Sequence, residues 1–110
     1  MNRNEVRMIV ARWSIDAKFG HKSDVIDSLS KWQSSFGTQI GWDGKCRILT
    51  GSVGALESTV ISEITLGSLA ELSESWDKLA KLDGHKAWSI ELEPHVVSGS
   101  MKWEVYRIVE

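Results

Sequence analysis

Apolar residues alternate with a period of two in four stretches of the chain and recur with a period near 3.6 in two longer ones. The first stretch, Val6 to Ile15, places Val6, Met8 and Val10 on one side and Ile9, Ala11, Trp13 and Ile15 on the other, so a strand here is apolar on both faces. Residues 16–22 connect it to a helix. Ser23 is expected as the N-cap, and Asp24 suits the first turn, where the helix dipole favours a negative charge. Val25, Ile26, Leu29, Trp32 and Phe36 make one helical face, with Gly37 expected to end the helix. Residues 37–45 read as a glycine-rich loop without the order of a phosphate-binding loop, and its Trp42 is the tryptophan least easily assigned to a core.

Cys46–Thr50 is expected as the second strand, residues 51–57 as a hairpin connection with Gly51 and Gly54 free to take positive φ, and Ser58–Leu66 as the third strand. That third strand carries Val60, Ser62, Ile64 and Leu66 on one face and Thr59, Ile61, Glu63 and Thr65 on the other. Ser68-Leu69-Ala70-Glu71 has the form of a capping box. Leu69, Leu72, Trp76, Leu79 and Ala80 are expected as the buried stripe of the helix it opens, with Gly84 at the helix end. A shorter helix is expected from about His85 to Glu93, before Pro94, and a last strand from Lys102 to Val109.

The order is β-α-β-β-α-β with a short extra helix before the final strand. That is the ferredoxin-like α+β arrangement, with both main helices on one face of an antiparallel sheet. The opposite face would then be bare, yet it carries apolar bulk. A second copy of the chain, packed as an isologous homodimer, is the expected cover.

Composition narrows the function classes. The 110 residues suit one α+β domain, expected to span residues 1–110. A net charge of −2 with both signs interspersed leaves no basic stripe, so nucleic acid is not expected as a partner. No signal peptide or membrane span is seen, and the one cysteine, Cys46, forms no internal disulfide, so a cytoplasmic location away from membranes is the expectation. Cys46 opens a strand and reads as a small buried hydrophobe rather than a nucleophile. The unusual feature is six tryptophans, at positions 13, 32, 42, 76, 88 and 103, which suit either core filling or an aromatic-lined cavity.

The chain resembles the dimeric α+β barrel superfamily, and within it the NIPSNAP-like proteins. Arg47-Ile48-Leu49-Thr50-Gly51-Ser52-Val53-Gly54 with Thr59-Val60-Ile61-Ser62-Glu63 is similar to that family's central hairpin. Leu66-Gly67-Ser68-Leu69-Ala70-Glu71 is similar to its strand-to-helix junction, and Ser98-Gly99-Ser100 with Glu104-Val105-Tyr106-Arg107 to its last strand. Arg12-Trp13 stands near an Arg-x-aromatic pattern of the first strand, although Phe19-Gly20 replaces a usual Pro-Gly there. The resemblance implies two sheets face to face in a homodimer. It chooses no reaction, because related barrels include cofactor-independent monooxygenases, haem-degrading enzymes, isomerases and proteins without known chemistry.

Among single residues, Glu63 is the most telling. A carboxylate mid-strand on the dimer side needs partners, and Arg12, Arg47 and Arg107 are the candidates; it serves as a polar anchor or base in a cavity, or as a structural ion pair. His85, Trp88, Leu92 and His95 share a helical face, but His85 and His95 would lie about 15 Å apart, too far to hold one ion. His21 falls in a connection and is expected at the surface, and no His/Cys/Asp/Glu group has metal-site spacing. Trp76 and His85 have a spacing similar to the Trp and His of haem-degrading barrels. The Asn used there has no counterpart beside Ala11, so no cofactor is expected.

The expected function is binding of a small, partly apolar ligand between sheet and helices or between sheets. The candidate residues are Arg12, Trp13, Thr50, Glu63, Trp76, His85, Trp88 and Tyr106, with no catalytic residue assignable. The alternatives are a cofactor-independent monooxygenase or isomerase, and a pure assembly module without ligand.

Overall fold

The computed structural model describes residues 8–109, so Val6 and Arg7 of the expected first strand lie outside the described residues. Four strands, β1 (Ile9–Asp16), β2 (Cys46–Thr50), β3 (Thr59–Leu66) and β4 (Lys102–Arg107), form one sheet in the order β2-β3-β1-β4. Every neighbouring pair is antiparallel. Helix α1 (Lys22–Trp32) joins β1 to β2, and α2 (Leu69–Leu79) with α3 (His85–Leu92) joins β3 to β4. Each of these connections skips over one strand, which is the ferredoxin-like topology expected from the element order.

Register assigns the faces. Ile9, Ala11, Trp13 and Ile15 of β1 pair with Leu66, Ile64, Ser62 and Val60 of β3 and face the helices. Ile9, Ala11, Ile64, Leu66 and Leu72 pack with Trp32, Ile40 and Trp42 in one apolar cluster. Ile15, Val25, Leu29, Val60, Leu92 and Val96 pack in a second. Each fully buried Leu or Ile here contributes about 1.5–3 kcal/mol of apolar burial, so these two clusters hold the helices to the sheet. The other face carries Val10, Arg12 and Ser14 of β1, Ile61, Glu63 and Thr65 of β3, Arg47 and Leu49 of β2, and Glu104 and Tyr106 of β4.

Several local expectations are corrected. Helix α1 starts two residues early, with His21 rather than Ser23 at the N-cap and no side-chain cap bond. It does not stop at Gly37. The chain continues through a π-type turn (Gln33–Gly37) and a 3-10 turn (Thr38–Ile40), and reverses at Gly41 with φ 86°. That helical continuation, in place of an open loop, carries Trp42 back into the core, where it is 4% exposed. At the β2–β3 turn only Gly54 takes positive φ. Gly51 is needed for a different reason: a Cβ there would sit 1.6 Å from the Leu56 carbonyl oxygen.

The capping motif of α2 forms, with Ser68 Oγ accepting from the Glu71 backbone N–H at 3.2 Å. Glu71 reaches back to the N–H of Gly67 at 2.9 Å. The buried stripe is narrower than the apolar spacing predicts: Leu72 and Ser75 are buried, while Leu69, Trp76 and Ala80 are exposed. Gly84 does not close α2; with φ 86° it opens α3. Strand β4 ends at Arg107 rather than Val109.

Candidate functional site

Between the helix layer and the sheet lies a cavity of about 290 Å³. Its lining includes Trp13, Trp32, Trp42, Trp76, Trp88 and Trp103, all six tryptophans of the chain. Its floor is the sheet centre, where Trp13 stands opposite Ser62 on one side and Trp103 on the other. Ser62 is small, and that leaves space above it which Leu29 and Trp32 of α1, Trp76 and Leu79 of α2, and His85, Trp88 and Ser89 of α3 enclose without filling. Trp32 anchors the wall, with ring centroids 5.5 Å from Trp42, 6.4 Å from Trp88 and 6.3 Å from His85. At the rim Trp76 meets Trp103 edge to face at 5.3 Å. Trp76 is 40% exposed, so the tryptophan expected in the α2 core stripe is a cavity wall instead.

Two walls are locked by their indole N–H groups. Trp42 Nε1 donates to Ser75 Oγ at 2.9 Å, and Ser75 Oγ donates in turn to the Glu71 carbonyl at 2.9 Å. Trp88 Nε1 donates to the Ser28 carbonyl at 3.1 Å, tying α3 to α1. Ser62 Oγ accepts from Gln33 Nε2 at 3.1 Å. Among the lining residues His85 is the only ionisable one. It packs against Phe36 (5.3 Å) and Trp88 (5.6 Å), and burial pushes its pKa below the ordinary value because the apolar surround disfavours the charged imidazolium. A neutral imidazole in an aromatic wall both donates and accepts a hydrogen bond, and it suits a proton acceptor.

The remaining candidates lie elsewhere. Arg12, Glu63 and Tyr106 occupy the opposite face of the sheet, the one expected to meet a second copy, so they do not line this cavity. Strand alternation is the reason: Glu63 is adjacent in sequence to Ser62 and therefore points the other way. Thr50 is on the edge strand and donates its hydroxyl to the Thr59 carbonyl at 2.9 Å. Trp32, Trp42 and Trp103, noted in the sequence only among the six tryptophans and not as candidate site residues, also line it, as do Met101, Ser62 and Ser89, which the sequence did not single out. The signal for the tryptophans was their number rather than their spacing.

On the open face, Glu63 is only 3% exposed. Arg12 Nε donates to one carboxylate oxygen at 2.7 Å and Arg47 Nε to the other at 2.5 Å. Arg107, the third candidate, points from β4 toward the helix side instead. The cover over Glu63 is thin, made of the arginine side chains themselves, with Arg12 lying 5.1 Å over the Tyr106 ring. Desolvation pushes the Glu63 carboxyl up, but the hydrogen bonds and positive charge of Arg47 and Arg12 together outweigh it and hold the pKa below the ordinary carboxylate value. Glu63 is thus the anion at the centre of an ion triad, with no proton to give at neutral pH.

Cys46 is half-buried and burial pushes its thiol up to about 11, so it is no nucleophile. The fold also assembles a group that the linear spacing does not show: His21, Asp24 and His95, drawn from opposite ends of the chain, present their ligand atoms within 4.8 Å of one another.

No family model and no curated protein sequence matches the chain. Among solved structures it is similar to a NIPSNAP family protein from Agrobacterium tumefaciens, with TM-score 0.72, 20% identity and 90% of each chain covered. A second NIPSNAP family protein from that organism, of unknown function, aligns at TM-score 0.69 and 12% identity over 100% of this chain and 96% of its own. A dimeric protein of unknown function with a ferredoxin-like fold, from Bacteroides fragilis, aligns at TM-score 0.63 and 12% identity over 92% and 96%. The fold of this chain is therefore the one that the NIPSNAP resemblance implied. Among the described residues no helix is long and apolar enough to cross a membrane.

Proposed function

We propose that the protein binds a small, largely aromatic or otherwise apolar organic ligand bearing one polar group in the cavity between helices and sheet. The observation that carries this is the convergence of all six tryptophans on one space. Tryptophans that served only as core filler would leave no such space. The cavity is at the small end of the ~300–1,000 Å³ typical of ligand sites, so the ligand is compact. Apolar walls supply affinity, and the His85 imidazole supplies the polar contact. The position of His85 also supports a second reading, a cofactor-independent enzyme in which the neutral imidazole removes a proton from an activated substrate.

The proposal includes a second copy of the chain across the open face, in the cytoplasm. Support comes from Val10, Leu49, Ile61 and Tyr106 around the Arg12–Glu63–Arg47 triad, and from the dimeric Bacteroides neighbour. An apolar surround with a paired polar centre suits isologous sheet packing.

Calorimetric titration with 2-naphthol tests the ligand claim. Ser89 is exposed at the rim, so Ser89→Trp plugs the cavity without entering the core. Saturable binding to the wild type and to Ser89→Ala, weakened tenfold or more in Ser89→Trp at unchanged melting temperature, is expected. Equal binding to Ser89→Trp, or no saturable binding of any naphthol, indole or benzoate to the wild type, would overturn it.

A further inference from the structure

We propose that His21, Asp24 and His95 bind one divalent transition-metal ion of the zinc class. His21 is the N-cap of α1, Asp24 lies in that helix's first turn, and His95 ends the 3-10 turn Glu93–His95 after α3. The two Nδ1 atoms are 2.9 Å apart across 74 residues of sequence. The Asp24 Oδ2 is 3.7 Å from each of them. A hydrogen bond between the two imidazoles would explain the first distance alone. The carboxylate is too far for a hydrogen bond to either ring, yet equidistant from both. One ion common to all three explains the arrangement. Tetrahedral donors about 2.0–2.1 Å from zinc lie roughly 3.3 Å from one another, and the observed separations bracket that value within side-chain adjustment.

The site is held from behind by the backbone. Ala17 and Val96 form an isolated antiparallel bridge, the Lys18 N–H donates to the His95 carbonyl at 2.9 Å, and the His21 N–H donates to the Lys18 carbonyl at 2.9 Å. Both histidine backbones are therefore fixed before any ion arrives, which lowers the cost of assembling the donors. The nearest basic residue in sequence, Lys22, is turned away and paired with Glu57 at 2.9 Å. Two imidazole nitrogens and one carboxylate oxygen suit zinc, cobalt, nickel or copper better than calcium or magnesium, which prefer oxygen throughout. All three side chains are partly exposed, so the ion has an approach from solvent and a fourth position for water. None of the three lines the tryptophan cavity, so the ion acts as a clamp between the start of α1 and the approach to β4, apart from the ligand site.

The test uses tag-free, full-length protein stripped with a chelator and dialysed, then titrated with zinc chloride by calorimetry and with cobalt(II) by visible absorption. One ion per chain, a tetrahedral cobalt band, and binding weakened at least tenfold in both His95→Gln and Asp24→Asn are expected. Asp27→Asn, an exposed acid on the same helix, keeps wild-type binding. Asp24 is itself half in water, so Asp24→Asn retains the fold, and circular dichroism verifies this for each variant. Failure of the wild type to bind stoichiometrically would overturn the site. So would unchanged binding in the two ligand variants, or a loss as large in Asp27→Asn.

Discussion

Replacing Glu63 by glutamine removes the negative charge at the centre of the open sheet face while keeping its shape. The carboxylate accepts two hydrogen bonds from guanidinium groups, at 2.7 and 2.5 Å. A hydrogen bond to a charged group contributes about 1.5–3 kcal/mol when both partners are buried. Here only one is: Glu63 is 3% exposed, but the Arg12 and Arg47 side chains are 36% and 67% exposed. Water screens the arginine side of each pair, which brings each bond down to about 1 kcal/mol. Glu63→Gln should therefore lose about 2 kcal/mol at pH 7, or roughly 8 °C in melting temperature for a domain of this size. The pH dependence follows from the sign of the shift. The folded pKa is depressed, so the contribution is complete above the unfolded value of about 4.3 and is lost as pH falls through the folded value. Urea denaturation of both proteins from pH 8 to pH 3 should show a gap that is constant down to about pH 5 and closes in acid. A gap under 0.5 kcal/mol at pH 7, or one that persists unchanged at pH 3, would refute the assignment of Glu63 as a charged structural anchor.

Three further outcomes are expected. His85 has a folded pKa below its ordinary value of about 6.5, so the unfolded chain takes up its proton first and stability falls as pH drops below about 6.5; His85→Phe should remove that part of the slope in urea melts between pH 8 and pH 5, and an unchanged slope would count against the buried neutral imidazole. Cys46, with its thiol raised to about 11, should react with a thiol reagent at pH 8 on the order of 200-fold more slowly in the folded than in the unfolded protein, and comparable rates would contradict its burial. Trp42→Phe strips the donor from Ser75 and leaves space in the core, and should cost about 2–3 kcal/mol in a urea melt; a cost below about 1 kcal/mol would show that Trp42 is not the core piece described.

The strands and main helices were legible because each has an apolar face repeating at its own period, as Ile9, Ala11, Trp13 and Ile15 do in β1. The pairing of Glu63 with arginine was legible too, since a mid-strand carboxylate has few ways to be buried. What sequence could not show is the outcome of tertiary choice. Trp76 keeps step with Leu72 and Leu79, yet α2 is rotated so that Ser75 is buried and Trp76 is not. Trp42 looks like a loop residue until a π-type turn and a 3-10 turn extend the helical path and return it to the core. The cavity depends on Ser62 being small at the sheet centre beneath large walls, a relation among residues from six elements. His21 and His95 meet only because the ends of β1 and α3 are bridged through Ala17 and Val96.

The claim that one aromatic cavity is the binding site can be read directly from the protein's own tryptophans. In a proton–nitrogen correlation spectrum the six indole N–H groups give six separate signals, and a set of small naphthols, indoles and aromatic acids can be titrated against them. A fragment that binds should shift several indole signals together, those of Trp76, Trp88 and Trp103 among them, with a single dissociation constant. Fragments that bind while leaving the indole signals in place, or that shift one tryptophan alone, would contradict it.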